Sequence, residues 1–277
     1  MKIKRLSPAL GAEVQGIDLL KPVSQSNFLE IEKALHEHLV IIFRGQVLSP
    51  RQHVDFAAQF ADLESHPFVE SISDYPELIE IVKESSEYKN WGGPWHADVT
   101  FKEAPSIGAA LYAREVPEAG GDTLFTNMYL GYETLSDRLK ELLKTLKAVH
   151  YSGDPQSFSD SFKGMSGKAA VPEYSSHPVV RTHPITGRKA VFVNKAYTRH
   201  FEGMTEEESL PLLEMLYNHC QKPEFTCRLH WTKDTLAIWD NRVTMHHAMD
   251  DDFSAMFNGC GFRRVMHRAT FVGETPV

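Results

Sequence analysis

The chain has 277 residues, 42% of them hydrophobic and 24% charged, with a formal net charge of −8. This length and composition suit a soluble globular protein with one substantial core. The acidic balance argues against nucleic acid as a partner, because phosphates need a basic face, but it leaves room for a small anion met by a local pair of cations.

At the amino end, MKIKRLSPALGAEV (1–14) lacks the apolar stretch of a secretory signal, and no apolar run in the chain is long enough to span a bilayer. A cytoplasmic protein with no membrane partner is expected. Residues 25–38 place Phe28, Ile31 and Leu35 at helical spacing, and Leu39 to Phe43 form a β-rich run. Residues 50–62 read as a second helix, opened by Ser49 and Pro50, with Phe56 and Phe60 on one face. Short strands at 106–112, 123–126 and 190–193 alternate with turns. The polar, Ser- and Gly-rich segment 154–173 reads as a surface loop or lid. A helix over 205–218 opens with Thr205 and acidic residues, and strands at 226–231, 235–239 and 264–272 complete the chain. Cys220, Cys227 and Cys260 have neither disulfide-framework nor zinc-finger spacing and read as buried or idle thiols. No repeat or linker divides the chain. The expectation is a single domain over 1–277, α+β with a mainly β core of sandwich or barrel type and helices packed outside.

Three segments carry chemistry. In WHADVTF (95–101), an extended backbone would turn His96 and Asp98 to the same side, giving two-thirds of a two-histidine, one-carboxylate metal set. Alone this is weak, since a His-x-Asp triplet is most often a surface hydrogen-bonded pair. In IWDNRVTMHH (238–247), a strand leads into His246 and His247. Neighbours on a strand face opposite sides, so one of them can ligate, and spacing does not say which. In FRRVMHRATF (262–271), Arg264 and Arg268 sit within an apolar run. Buried guanidinium groups need anionic partners, although an edge strand with solvated cations reads equally well.

WHADVTF, GGDTL (120–124), HPVVRTHPITGRKAVFVN (177–194), AIWDNRVTMH (237–246) and RRVMHRAT (263–270) together resemble the taurine dioxygenase family of Fe(II)/2-oxoglutarate oxygenases, which includes the aryloxyalkanoate dioxygenases. The likeness runs from AEVQGID (12–18) to Gly273. It implies a double-stranded β-helix (jelly roll) with flanking helices. It implies iron held by His96, Asp98 and His246, and leaves His247 a packing role. It implies that Thr123 and Arg264 bind the distal carboxylate of 2-oxoglutarate and that Arg268 meets the substrate anion. O2 is the other co-substrate, and succinate and CO2 are released. Among substrate positions, His66 matches a taurine-contacting histidine, whereas Val69 replaces a tyrosine and Gly92 an asparagine. Tyr197 stands where the family has an aromatic wall. The chain is also longer than the family pattern around 254–260, and the extra residues would either reshape the pocket rim or sit on the surface. The expected substrate is a small anionic organic molecule, sulfonate-like, or alternatively an aryloxyalkanoate, another carboxylate or a sulfate ester. A homo-oligomer is expected. The competing classes are a zinc-dependent hydrolase on the same ligands and a non-catalytic metal-binding protein, neither of which needs Thr123 and Arg264 as a carboxylate clamp.

Overall fold

Every residue of Val40–Phe43 is buried, which requires cover on both faces of the sheet that contains it. In the computed structural model, which describes residues 1–65, 71–87, 92–153, 172–253 and 261–277, that sheet has nine strands. Their order is Lys2–Arg5, Ala12–Gln15, Val40–Phe43, Leu236–Asp240, Gly108–Glu115, Arg264–Phe271, Tyr75–Lys83 and Ser71–Ile72, with Leu63–Glu64 paired to Arg264–Phe271. Ala12–Gln15 runs parallel to Val40–Phe43, and the other pairings are antiparallel.

Alternation along each strand sorts side chains into two cores. Val40, Ile42, Ala237, Trp239 and Met266 enter one, while Ile41, Phe43, Leu236, Ile238 and Phe271 enter the other. Helices Gln25–His38 and Pro50–Ala57 close the second core with Ile31, Leu35 and Phe56. The first core is closed by a three-stranded sheet, Thr226–Leu229, Thr123–Asn127 and Thr244–Ala248, whose Phe125 ring lies 5.8 Å from Trp239. Two facing, largely antiparallel sheets of this kind form the expected jelly roll, and the described strands do not close into a barrel. Helix Glu206–Cys220 backs the smaller sheet, where Thr126 Oγ1 donates to the carbonyl of Cys220 at 2.5 Å.

The helix starts lie where their caps place them. Ser49 forms a capping box with Gln52 ahead of Pro50, and Thr205 does so with Glu208. The second helix is shorter than the expected 50–62 and ends at Ala57. Beyond it Phe60 N–H bonds Ala57 O at 3.0 Å in a tighter turn, which still seats Phe60 against Phe28, Phe56 and Phe271. Aromatic spacing alone does not separate the two conformations. Strand limits shift where ladder partners decide them: 106–112 becomes Gly108–Glu115, and 226–231 stops at Leu229. Strands Lys2–Arg5 and Tyr75–Lys83, half-exposed and weakly patterned, are additions to the sequence reading. Most of the expected 154–173 loop and all of 254–260 lie outside the described residues. No helix among the described residues is long and apolar enough to cross a membrane.

Candidate metal centre

Strand alternation decides between the two histidines of Thr244–Ala248. His246 pairs with Phe125 across the ladder and points toward the large sheet, with ring centroids 5.9 Å from Phe125 and 4.9 Å from Trp239. His247 turns to the opposite face, where its ring lies 5.6 Å from Trp95 and its Nδ1 meets the carbonyl of Gly93.

His96 is tied to His246 through the backbone. His96 N–H donates to His246 O at 3.0 Å, His246 N–H donates to His96 O at 2.8 Å, and the two rings lie 4.2 Å apart. His96 Nδ1 is 2.7 Å from the carbonyl of Pro94, an acceptor only, so Nδ1 carries the proton and the Nε2 lone pair is free. Asp98 does not reach the site as the sequence pattern suggested. The extended stretch ends at His96, and Asp98 opens a turn in which Lys102 N–H bonds Val99 O at 3.0 Å and Val99 has φ +46°. The turn, and not strand alternation, brings the carboxylate round. Asp98 Oδ1 lies 3.7 Å from Nε2 of both His96 and His246.

Each of these three groups is buried. Burial lowers the pKa of His96 and drives that of His246 well below the ordinary value, so both rings are neutral near pH 7 and offer lone pairs. Burial pushes the Asp98 carboxyl up, but the Arg268 charge and the neighbouring histidines outweigh it and hold the group well below the usual carboxylate range. Arg268 Nη2 stands 2.8 Å from Asp98 Oδ2 without hydrogen-bond alignment, so this is a charge contact. The three ligand atoms lie within 4.8 Å of one another. Adjacent donors about 2.1 Å from one ion lie about 3 Å apart, so each histidine nitrogen, now 3.7 Å from Asp98 Oδ1, must draw in toward the carboxylate to share an ion. The donor set, two imidazoles and a carboxylate, fits Fe(II) with open positions for a chelating co-substrate and O2.

A second cluster, His36, His183 and Asp240, has metal-like spacing, but His183 and Asp240 are engaged in hydrogen bonds, and His36 Nδ1 stands 3.9 Å from Asp240 Oδ2. His183 Nδ1 accepts the N–H groups of Ile185 and Thr186, so Nε2 carries the proton that it gives to Asp240 at 2.9 Å. Arg242 grips the same carboxylate through Nε at 2.8 Å and Nη2 at 2.7 Å. No ring nitrogen of His183 remains for an ion.

Arg264 and Arg268 lie four residues apart on Arg264–Phe271, on the side that sends Met266 into the inner core. The solvated edge-strand alternative is therefore excluded, since both are buried. Arg264 forms no ion pair with a carboxylate among the described residues, and its buried Nε has no hydrogen-bond partner. Burial lowers its pKa to about 10, partly offset by the more distant charges of Asp251 and Asp122. Thr123 Oγ1 accepts from Trp231 Nε1 at 3.0 Å, and the Arg264 guanidinium lies 5.9 Å from the Trp231 ring. Trp231 thus joins the two expected clamp residues, and no local signal in the sequence distinguishes it.

Of the expected substrate positions, Tyr197 stands edge-on to His96 at 6.3 Å and to Phe101 at 5.2 Å. Gly92 has φ +88°, and a Cβ there would lie 3.2 Å from His96 Cε1, closer than an ordinary contact, so the Gly92 backbone packs directly against the imidazole. His66 and Val69 lie outside the described residues.

The pattern of the family described as "Taurine catabolism dioxygenase TauD, TfdA family" matches residues 2–270. The chain is 32% identical over 279 residues to an alpha-ketoglutarate-dependent sulfate ester dioxygenase of Pseudomonas putida, covering 97% of this chain and 88% of that one. It is 33% identical over 290 residues to the alpha-ketoglutarate-dependent 2,4-dichlorophenoxyacetate dioxygenase of Cupriavidus pinatubonensis, covering 98% of each. The crystal structure of a taurine dioxygenase from Burkholderia xenovorans superposes with a TM-score of 0.84 at 35% identity, over 100% of this chain and 90% of that one. With a jelly roll that gathers two neutral imidazoles and a carboxylate beside two buried arginines, and with this likeness over almost its whole length, the chain belongs to the TauD, TfdA family and is an alpha-ketoglutarate (2-oxoglutarate)-dependent dioxygenase.

Proposed function

We propose that this dioxygenase, which uses Fe(II), 2-oxoglutarate and O2, hydroxylates a sulfonate-like small organic anion, with His96, Asp98 and His246 holding the iron. The observation that carries the reading is the convergence of those three buried donors within 4.8 Å. Bound there, the iron supplies the oxidative decarboxylation of 2-oxoglutarate to succinate and CO2 that drives substrate hydroxylation.

The protein's own groups set the geometry. Arg264, buried and unpaired at Nε, receives the distal carboxylate of 2-oxoglutarate, with the Thr123 hydroxyl beside it. Arg268, in charge contact with Asp98, holds the substrate anion close to the metal ligands. Tyr197 and Phe101 form the apolar wall that excludes water. Hydroxylation at a carbon bonded to sulfur or oxygen gives an unstable product, which releases an aldehyde and the anion. An aryloxyalkanoate or another carboxylate is the second reading, favoured by Gly92, which brings no polar side chain to the position beside His96. The reading extends to one catalytic domain over 1–277, assembled as a homo-oligomer in the cytoplasm.

The test is a succinate assay with Fe(II), ascorbate, 2-oxoglutarate and a panel of alkylsulfonates, sulfate esters and aryloxyacetates. Succinate formation that depends on an alkylsulfonate is expected. Succinate with aryloxyacetates alone would select the second reading. Hydrolysis of a sulfate ester that needs Zn(II) but no 2-oxoglutarate would refute both.

A further inference from the structure

The backbones of the three metal-binding residues are cross-linked by two devices. The reciprocal peptide hydrogen bonds join His96 to His246. Asp98 lies outside that ladder, in a turn followed by a residue at φ +46°. A turn of this kind has several accessible geometries, and a carboxylate on it needs an external constraint.

Asn241 supplies one. Its side chain is buried at 1% exposure in the connection between Leu236–Asp240 and Thr244–Ala248, five residues before His246. Asn241 Oδ1 accepts the Asp98 N–H at 2.8 Å. Asn241 Nδ2 donates to the Asp98 carbonyl at 3.2 Å and to the Ser106 carbonyl at 2.8 Å. The Asn241 N–H donates to Ile107 O at 3.0 Å, so the amide is itself anchored. One carboxamide thus satisfies both peptide groups of the residue that carries the carboxylate. Only a planar group with an acceptor on one arm and a donor on the other can do so. Aspartate in this place cannot donate, and leucine fills the volume without bonding.

We propose that Asn241 is a positioning residue for the metal site. By gripping the backbone of Asp98 it couples the turn that carries the carboxylate to the strand that carries His246, and so sets the three donors before the ion arrives. This rests on the assignment of His96, Asp98 and His246 as the ligands. Asn241 touches neither metal nor substrate, and its effect passes through Asp98.

The experiment compares wild-type protein, Asn241→Ala, Asn241→Asp and, as a control of stability alone, Tyr112→Phe. The control removes a buried hydroxyl that bonds Gln46 O and Asp234 Oδ1, each at 2.7 Å, away from the metal site. Mn(II) affinity is measured by electron paramagnetic resonance well below each variant's Tm, and amide hydrogen exchange is followed at Asp98. Weakening of Mn(II) binding by about 10–100-fold is expected for both Asn241 variants, the range found for groups that orient metal ligands. Faster exchange at Asp98 should accompany it, with wild-type affinity in Tyr112→Phe even where its Tm falls as far. Wild-type Mn(II) affinity in either folded Asn241 variant would overturn the proposal. If Asn241→Ala does not fold, the Asn241→Asp variant alone decides. Failure of the wild-type protein to bind Mn(II) would instead remove the ligand assignment, and the proposal with it.

Discussion

Replacing Arg264 by methionine should weaken 2-oxoglutarate binding without destabilising the apoprotein. The guanidinium is buried, its Nε lacks a hydrogen-bond partner, and burial has pulled its pKa down to about 10. Such a charge destabilises the empty fold, so an apolar side chain of similar length should leave its stability unchanged or raise it. Binding has the opposite sign. Truncating one side of a buried charge pair costs about 2 kcal/mol or more, and about 1.4 kcal/mol is a factor of ten, so Kd should rise at least about 25-fold. Titration calorimetry of 2-oxoglutarate into Mn(II)-loaded protein under anaerobic conditions gives Kd without turnover, and calorimetric melting of the apoprotein gives Tm. A Kd within about threefold of wild type, which is under about 1 kcal/mol, would refute the clamp. A clear fall in apoprotein Tm would show that Arg264 is already paired in the fold.

Three further outcomes are expected. His246→Ala should abolish Mn(II) binding measured by paramagnetic resonance, while His247→Ala, on the far side of the strand, should retain it; the reverse would mean that the other histidine ligates. Gly92→Ala should bind metal more weakly and melt lower, because its Cβ would lie 3.2 Å from His96 Cε1 on a backbone with φ +88°; unchanged metal affinity would show that the space beside His96 is not constrained. Burial lowers the pKa values of His53 and His150 from 6.5 to about 3, so the unfolded chain takes up their protons first. The fold keeps its full stability above pH 6.5 and loses about 1.4 kcal/mol per pH unit for each group as pH falls toward 3. In urea unfolding between pH 6.5 and 5.5, where carboxylates contribute little, His53→Gln should lower that slope by one group's share, and an unchanged slope would contradict the burial argument.

How much of this was legible in the sequence depends on whether the deciding contact is local. Ser49, Pro50 and Thr205 mark their helix starts because a cap is closed within four residues. The run Val40–Phe43 announces a strand covered on both faces, since all four positions are apolar. Spacing alone does not rank His246 and His247; the family resemblance favours His246, and the register against Phe125 and Leu124 places that histidine on the inner face. The pairing of His96 with Asp98 was anticipated for the wrong local reason, because a positive φ at a β-branched residue such as Val99 leaves no trace in composition. Trp231 and Asn241 hydrogen-bond partners 108 and 143 residues away, and no short motif reports contacts at that distance.

The central claim is that His96, Asp98 and His246 hold one Fe(II) that 2-oxoglutarate chelates beside Arg264. Anaerobic addition of 2-oxoglutarate to the Fe(II)-loaded protein, followed by visible absorption, tests it most directly. A metal-to-ligand charge-transfer band that appears in the wild type and is lost in His96→Ala, Asp98→Ala and His246→Ala is expected. No band in the wild type, or a band that survives in any of those variants, would contradict it.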